Sequence, residues 1–145
     1  MIIPDINILV HAYNADSRNH SVAKHWWEQV VNGPRPVALP WAVSLGFIRI
    51  TTHRMIMDRP LRVTQATRFV RSWLACPNVQ VIEPGERHGE ILFRLLDGLG
   101  AAGSLTTDAH LAALAIEYQA EVASTDTDFA RMAGVRWFNP LALKR

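Results

Sequence analysis

Three aspartates occupy positions where a chain of alternating strands and helices would bring acidic side chains together. Asp5 and Asp126 each follow an apolar run of strand length, and Asp108 lies at the start of a helical pattern, just after residues 104–107. The carboxyl ends of strands in an open α/β sheet line the crevice in which ligands bind. Clustered carboxylates repel one another unless a cation neutralises them, and an all-oxygen set suits Mg²⁺ or Mn²⁺. The pattern therefore predicts a divalent-metal site that activates water for attack on a phosphoryl group.

Each of these aspartates also has a purely structural explanation. The helix dipole favours an acid at Asp108, Asp126 could cap a following helix, and Asp5 could stabilise a turn. The expected convergence of the three is what favours the metal site. Other chemistries have less support, because the chain has no His-x-x-x-His pair, no lysine in the glycine-rich residues 100–104 and no Gly-x-Ser-x-Gly motif.

The distribution of apolar residues predicts a single domain over all 145 residues. Runs of strand length alternate with helical periodicity, which indicates a three-layer α/β fold with a mostly parallel sheet of about five short strands flanked by helices. The predicted strands are residues 2–4, 37–39, 79–82, 121–124 and 135–138, and the predicted helices are residues 21–31, 41–52, 63–74, 86–99, 108–118 and 128–132. No signal peptide or membrane-spanning run is expected, and the single cysteine fits a reducing cytosol.

Positive charge is concentrated between residues 49 and 71. Six arginines stand against one aspartate in this segment, although the net charge of the whole chain is only +2. Such a segment would attract an anionic partner such as a nucleic acid. It could also be a solvated basic surface, or it could bind an acidic protein. The five tryptophans are more than one core of this size obviously needs, so exposed aromatic side chains are expected at an interface.

The sequence resembles PIN domains, and especially the VapC toxins of bacterial toxin–antitoxin pairs, in four motifs that occur in order. These motifs are residues 3–9 (IPDINIL), 105–115 (LTTDAHLAALA), 124–129 (STDTDF) and 137–141 (WFNPL). Residues 47–52 (FIRITT) also resemble a helix of the actinobacterial branch of the family. Each motif alone is weak, but four in order at compatible spacing cover nearly the whole chain.

The resemblance implies a PIN fold and a cytoplasmic, Mg²⁺-dependent endoribonuclease. It also implies a homodimer and a cognate VapB-type antitoxin that blocks the site. Asp5, Asp108 and Asp126 match the acidic metal-binding positions of the family. Asp128 is a candidate auxiliary acid, and Asn7 matches the polar residue that orients the first acid.

Two further residues are candidates for contact with an RNA substrate. Arg49 lies nearest the motif-bearing helix and is the best single candidate within the basic segment 49–71 for holding the RNA backbone. Thr107 directly precedes Asp108 in the third motif. Both assignments follow from the expected position of the acids and from the resemblance.

One departure from the family pattern motivates an alternative function. Many PIN domains carry a glutamate in the second helix, whereas residues 41–52 of this chain contain no acid and residues 44–47 read SLGF. The alternative is a PIN-like module that binds RNA or a partner protein without cleavage. Asp128 could partly replace the missing acid, and a Gly46→Glu change should then tighten metal binding if the helix has room. The simpler explanation of Gly46 is close packing against a neighbouring backbone.

A small phosphotransfer or phosphatase domain is a third possibility, because such domains also place acids at strand ends. It is disfavoured because the residue two positions after Asp5 is Asn7 rather than a second aspartate.

Overall fold

A parallel sheet of five strands forms the centre of the computed structural model, which describes residues 1–100 and 102–142. The strands are β1 (Ile2–Pro4), β2 (Val37–Ala38), β3 (Val79–Gln80), β4 (Glu121–Ala123) and β5 (Arg136–Phe138). Their order in the sheet is β3-β2-β1-β4-β5, so the N-terminal strand is central. Ile2 pairs with Val37 on one side and with Glu121 on the other. The predicted α/β fold with about five short parallel strands is confirmed.

The helices form two packed groups that flank the sheet. The first group is α1 (Ile6–Tyr13), α2 (His20–Val31), α3 (Trp41–Thr51) and α4 (Val63–Leu74), and the second is α5 (His88–Leu99) and α6 (Thr106–Tyr118). Two short 3₁₀ helices, Gly103–Leu105 and Thr127–Arg131, precede α6 and follow β4. Within the described residues, no helix is both long and apolar enough to cross a membrane.

Helix α1 and the 3₁₀ helix Gly103–Leu105 are the elements that the sequence pattern did not predict. Asp5 is the N-cap of α1, and the carboxylate accepts a hydrogen bond from the backbone N–H of Ile6 at 2.7 Å. The acid therefore does have a structural role, but it caps a helix rather than stabilising a turn. The remaining elements differ from the predicted ones by one or two residues at their ends, except that the short helix after β4 is a 3₁₀ helix.

Aromatic side chains hold the first group of helices together. Trp73 on α4 packs edge-on against Trp27 on α2 and Phe47 on α3, with ring centroids 5.5 and 4.8 Å apart. The indole N–H of Trp73 also donates a hydrogen bond to the hydroxyl of Tyr13 on α1, at 2.9 Å. Two of the five tryptophans therefore serve the core, and Trp41 is the one with a large exposed fraction, 49%. Trp41 is therefore the main tryptophan that the core does not need.

Gly46 lies where α3 packs against the side chain of Ile6 on α1. A Cβ atom at this position would lie 2.8 Å from Cγ1 of Ile6 and closer still to its Cδ1 atom. Gly46 is itself buried. The simpler explanation, close packing, is therefore supported, although the contact is with the Ile6 side chain rather than with backbone. The prediction that Gly46→Glu would tighten metal binding required room in the helix. That room is not present while Ile6 lies against Gly46.

A Gly46→Ala change should lower the free energy of unfolding by about 1 kcal/mol, because overpacking outweighs the gain in helix propensity. In an Ile6→Ala background the obstructing atoms are gone, so the same change should instead stabilise the protein by about 1 kcal/mol. Urea denaturation of the four proteins of this double-mutant cycle measures both values. An equal effect of Gly46→Ala in the two backgrounds would show that Ile6 is not the obstacle.

Candidate functional site

One pocket collects most of the residues that the sequence analysis singled out. Its volume is about 360 Å³, and it lies where β1 and β4 end and α6 begins. The predicted site residues in its wall are Asp5, Asn7, Arg49, Thr107, Asp108 and Asp126. The expected convergence of acids from two strand ends and a helix start is therefore present in the structure.

A serine that the sequence analysis did not single out organises the acidic side of this pocket. The buried hydroxyl of Ser124 donates to Oδ2 of Asp5 at 2.6 Å. It accepts from Nδ2 of Asn7 at 3.3 Å and from the backbone N–H of Asp126 at 2.9 Å. One donor and two acceptor positions are all that a hydroxyl offers, so Ser124 is fully used. Its only signal in the sequence was its place at the end of a predicted strand, two residues before an acid.

Asp5 is a buried acid whose charge is partly compensated. Only 4% of the residue is exposed, and this burial raises the pKa of the Asp5 carboxyl. The hydrogen bonds from Ser124 and from the backbone of Ile6 act in the opposite direction, and the negative charge of Asp126 raises the pKa further. The hydrogen bonds therefore stabilise the charged form of Asp5 against the effect of burial, and a nearby cation would stabilise it further.

Asp108 lacks such compensation. Burial, followed by the negative charges of Asp5 and Asp126, raises the pKa of Asp108 from an ordinary 3.8 to about 7. The proximity of the Asp126 carboxyl group contributes further to this shift, and so does the charge of Asp128. Asp126 also retains its simpler role, since its side chain accepts a hydrogen bond from the backbone N–H of Asp128 at 2.8 Å and caps the 3₁₀ helix.

The donor set on this side of the pocket fits an oxygen-preferring divalent cation. The Oδ1 atom of Asn7 is buried and lacks a hydrogen-bond partner among the described residues, and it belongs to the pocket that holds the carboxylates of Asp5, Asp108 and Asp126. Such unsatisfied oxygens are the ligands that Mg²⁺ and Mn²⁺ prefer. Within residues 1–100 and 102–142, however, no three acidic, histidine or cysteine side chains are gathered into a compact metal-binding group. The carboxylates share a pocket without forming a closed cage.

Asp128 and part of the basic segment lie differently from what the sequence suggested. Asp128 is not part of the pocket wall, and its carboxylate lies 3.5 Å from a guanidinium nitrogen of Arg131. In the basic segment, Arg59 forms a salt bridge with Asp16 at 2.6 Å, so part of its charge is matched. Arg49 does reach the pocket wall.

A larger pocket of about 610 Å³ lies near the start of β2 and β3, away from the acids. Its wall contains Gly33, Pro34, Pro36 and Pro77, and none of its lining residues is ionisable. It therefore offers no group for acid–base or metal chemistry, and the smaller pocket is the candidate site.

Known proteins share both the sequence and the fold of this chain. The PIN domain family matches residues 2–135. Ribonuclease VapC33 of Mycobacterium tuberculosis is 46% identical over 141 residues, which cover 97% of this chain and 99% of that protein. This chain belongs to the PIN-domain family, in its VapC branch. The resemblance inferred from the four motifs is confirmed.

Two solved structures have the same fold as this PIN domain. Mycobacterium tuberculosis VapC20, described as a sarcin–ricin loop cleaving toxin, matches with a TM-score of 0.67 at 19% identity and covers 94% of this chain and 99% of its own. VapBC2 from Rickettsia felis, solved with a DNA fragment from its promoter, matches with a TM-score of 0.69 at 17% identity and covers 96% and 98%. At these identities the two structures establish the fold alone.

The raised pKa of Asp108 predicts how the stability of the metal-free PIN domain depends on pH. Between 3.8 and about 7 the folded protein keeps a proton that the unfolded chain has lost, so this group's contribution to stability falls as pH rises through that window. An Asp108→Asn change removes the charge and keeps the shape. In EDTA it should raise the melting temperature near pH 8 and change it little near pH 4.

The matched control for this comparison is Asp97→Asn, which neutralises an exposed aspartate on α5. Differential scanning fluorimetry across the pH range measures both variants against the unsubstituted protein. A pH-independent difference for Asp108→Asn, or one equal to that of Asp97→Asn, would contradict the assignment.

Proposed function

We propose that this PIN domain is a divalent-metal-dependent endoribonuclease and the toxin of a toxin–antitoxin pair. The observation that carries the proposal is the shared pocket of Asp5, Asp108 and Asp126 in a chain of the VapC branch. The name of its relative VapC33, a ribonuclease, and the description of VapC20 as an RNA-loop cleaving toxin support RNA as the substrate.

In this proposal Asp5, Asp108 and Asp126 hold Mg²⁺, for which Mn²⁺ can substitute, and Asn7 lies beside them. When bound, the cation supplies positive charge to the scissile phosphodiester and makes water a better nucleophile. Ser124 acts through Asp5, because its hydroxyl fixes the position of that carboxylate. It is a positioning residue.

Two further residues of the pocket wall bind and orient the RNA. The guanidinium of Arg49 offers a positive charge for a phosphate oxygen, and the hydroxyl of Thr107 offers a hydrogen-bond donor at the first turn of α6. Asp128 remains an auxiliary acid, whose charge acts on Asp108 from outside the pocket wall.

The alternative, a module that binds RNA or a protein without cleavage, retains one motivation. Helix α3 carries no acid, and the packing of Gly46 against Ile6 leaves no room for one at that position. A site with fewer carboxylates attracts a hard dication less strongly. The measurement that separates the two functions is metal-dependent cleavage by the purified protein.

Replacing Asp5, Asp108 or Asp126 by asparagine should reduce RNA cleavage by several orders of magnitude, because each change removes a charge that the metal needs. Chelation with EDTA should abolish cleavage, and Mg²⁺ or Mn²⁺ should restore it. The rate of cleavage of fluorescent single-stranded RNA measures the effect, and circular dichroism checks the fold.

Asp97→Asn serves as the control, because it removes an exposed acid on α5. Wild-type cleavage rates in Asp5→Asn or Asp126→Asn would exclude the proposed metal ligands. RNA binding without any cleavage at high Mg²⁺ or Mn²⁺ would favour the binding module instead.

The proposal extends to the basic segment, which we assign to the RNA backbone. Arg62, Arg68 and Arg71 are exposed on or next to α4. Arg59 is left out of this test, because reversing its charge would also break its pair with Asp16. Reversing Arg62 and Arg68 to glutamate should weaken RNA binding and make it less dependent on salt, because phosphate contacts release counterions.

Fluorescence anisotropy with single-stranded RNA across a salt series measures this effect. The control is Arg94→Glu on α5, which is also exposed and lies outside the segment. Unchanged RNA affinity in the Arg62 and Arg68 variant, with loss of antitoxin binding, would assign the segment to the protein partner.

The proposed partners are a VapB-type antitoxin and a second copy of this chain, both in the cytoplasm. Exposed apolar side chains are available for such contacts, and Trp41 and Leu45 lie one helical turn apart on α3. Neighbouring exposed apolar side chains of this kind mark interfaces more often than apolar side chains exposed singly do.

A further inference from the structure

His11 reaches the candidate site from the same helix face as Asn7. The two residues are four positions apart on α1, and both line the pocket together with Val10. Residues four apart on a helix are neighbours on its surface. With a rise of 1.5 Å per residue, His11 lies roughly 9 Å along the helix from Asp5. Its imidazole is therefore at the rim of the pocket rather than among the carboxylates.

A serine in the loop between α1 and α2 holds the imidazole in one orientation. The Nδ1 atom of His11 lies 2.7 Å from Oγ of Ser17, and the same oxygen accepts the backbone N–H of Asn19 at 3.1 Å. If Nδ1 carried the proton, the hydroxyl hydrogen of Ser17 would have no acceptor among the described residues. Donation from Ser17 to Nδ1 satisfies both groups. This pairing favours the tautomer that carries the ring proton on Nε2.

The Nε2 atom of His11 is free to bind a ligand. It has no hydrogen-bond partner among the described residues, and it is not one of the buried side-chain atoms that lack a partner there. It is therefore accessible to solvent, on a residue that lines the pocket. Burial lowers the pKa of His11, so the ring is neutral at pH 7 and offers an uncharged N–H donor.

We propose that His11 is an RNA-positioning residue whose Nε2–H donates a hydrogen bond to a phosphate oxygen of the nucleotide next to the scissile bond. The distance from Asp5 along α1 favours the neighbouring phosphate over the one at the carboxylates. Arg49, in the same pocket wall, supplies the charge that a neutral imidazole lacks. The inference rests on the proposed ribonuclease function and extends it to a residue outside the matched motifs.

Two substitutions separate this role from a structural one. In His11→Gln the amide nitrogen can take the place of Nε2, whereas in His11→Asn it takes the place of Nδ1 and can only face Ser17. His11→Asn should weaken RNA binding and raise KM about tenfold, the size of one hydrogen bond to a charged group, with little change in kcat. His11→Gln should stay within about twofold of the unsubstituted protein.

A second pair of variants guards against misfolding. His11→Met has the length of glutamine without an N–H, so it should behave as His11→Asn does. Ser17→Ala removes the contact that orients the ring, so it should weaken RNA binding, but less than His11→Asn does. If the role of His11 is only to organise the loop, His11→Gln and Ser17→Ala will instead be more impaired than His11→Asn, and the inference is wrong.

The experiment has a binding arm and a cleavage arm. Anisotropy with a fluorescent, single-stranded RNA pool of random sequence is measured in EDTA, so it does not depend on cleavage. Cleavage of the same pool in Mg²⁺ supplies KM and kcat. If the unsubstituted protein does not cleave, the proposed function fails while the binding arm still tests His11. If it cleaves and His11→Asn and His11→Met bind and cleave normally, only the inference about His11 fails.

Discussion

Repulsion between carboxylates, one buried and two half-buried, is the constraint on which this site depends. Parallel strands β1 and β4 end side by side, and the start of α6 faces them, so the fold delivers Asp5, Asp126 and Asp108 to one pocket. The hydroxyl of Ser124 and a backbone N–H stabilise the first of these acids, but nothing comparable stabilises Asp108, whose pKa rises to about 7. The protein therefore keeps negative charge in this pocket that a bound cation would neutralise.

The position of helix α1 links this electrostatic centre to the packing of the domain. On one side, the hydroxyl of Ser124 accepts a hydrogen bond from the side-chain amide of Asn7 and donates one to Asp5 at the start of the helix. On the other side, Ile6 rests against Gly46 of α3, where a methyl group would not fit. Because Asp5, Asn7 and His11 all depend on where α1 lies, a glycine without a functional group still determines the geometry of the site.

Local patterns predicted most of the fold and the acids, but not the contacts between distant residues. The strand–helix alternation was readable because each element has its own apolar period. Helix α1 was missed because it is short and only Asn7 and His11 among residues 6–13 are clearly polar, so its narrow polar face does not reveal the period. Ser124 was missed because its role depends on Asp5, which is 119 residues away. The tight packing of Gly46 depends on Ile6, which belongs to the helix that was missed.

The distribution of charge explains why RNA and metal should bind this protein cooperatively. Acids line one side of the pocket, while Arg49 in its wall and the exposed arginines of the basic segment are the groups that attract a polyanion. Without a cation, a phosphate brought in by these arginines meets Asp5, Asp108 and Asp126, and like charges repel. A dication reverses that repulsion, so it strengthens RNA binding, and by linkage RNA must strengthen the binding of the dication by the same factor. Helix α3 contributes no carboxylate to this site. Part of the free energy that binds the metal can therefore come from the RNA substrate.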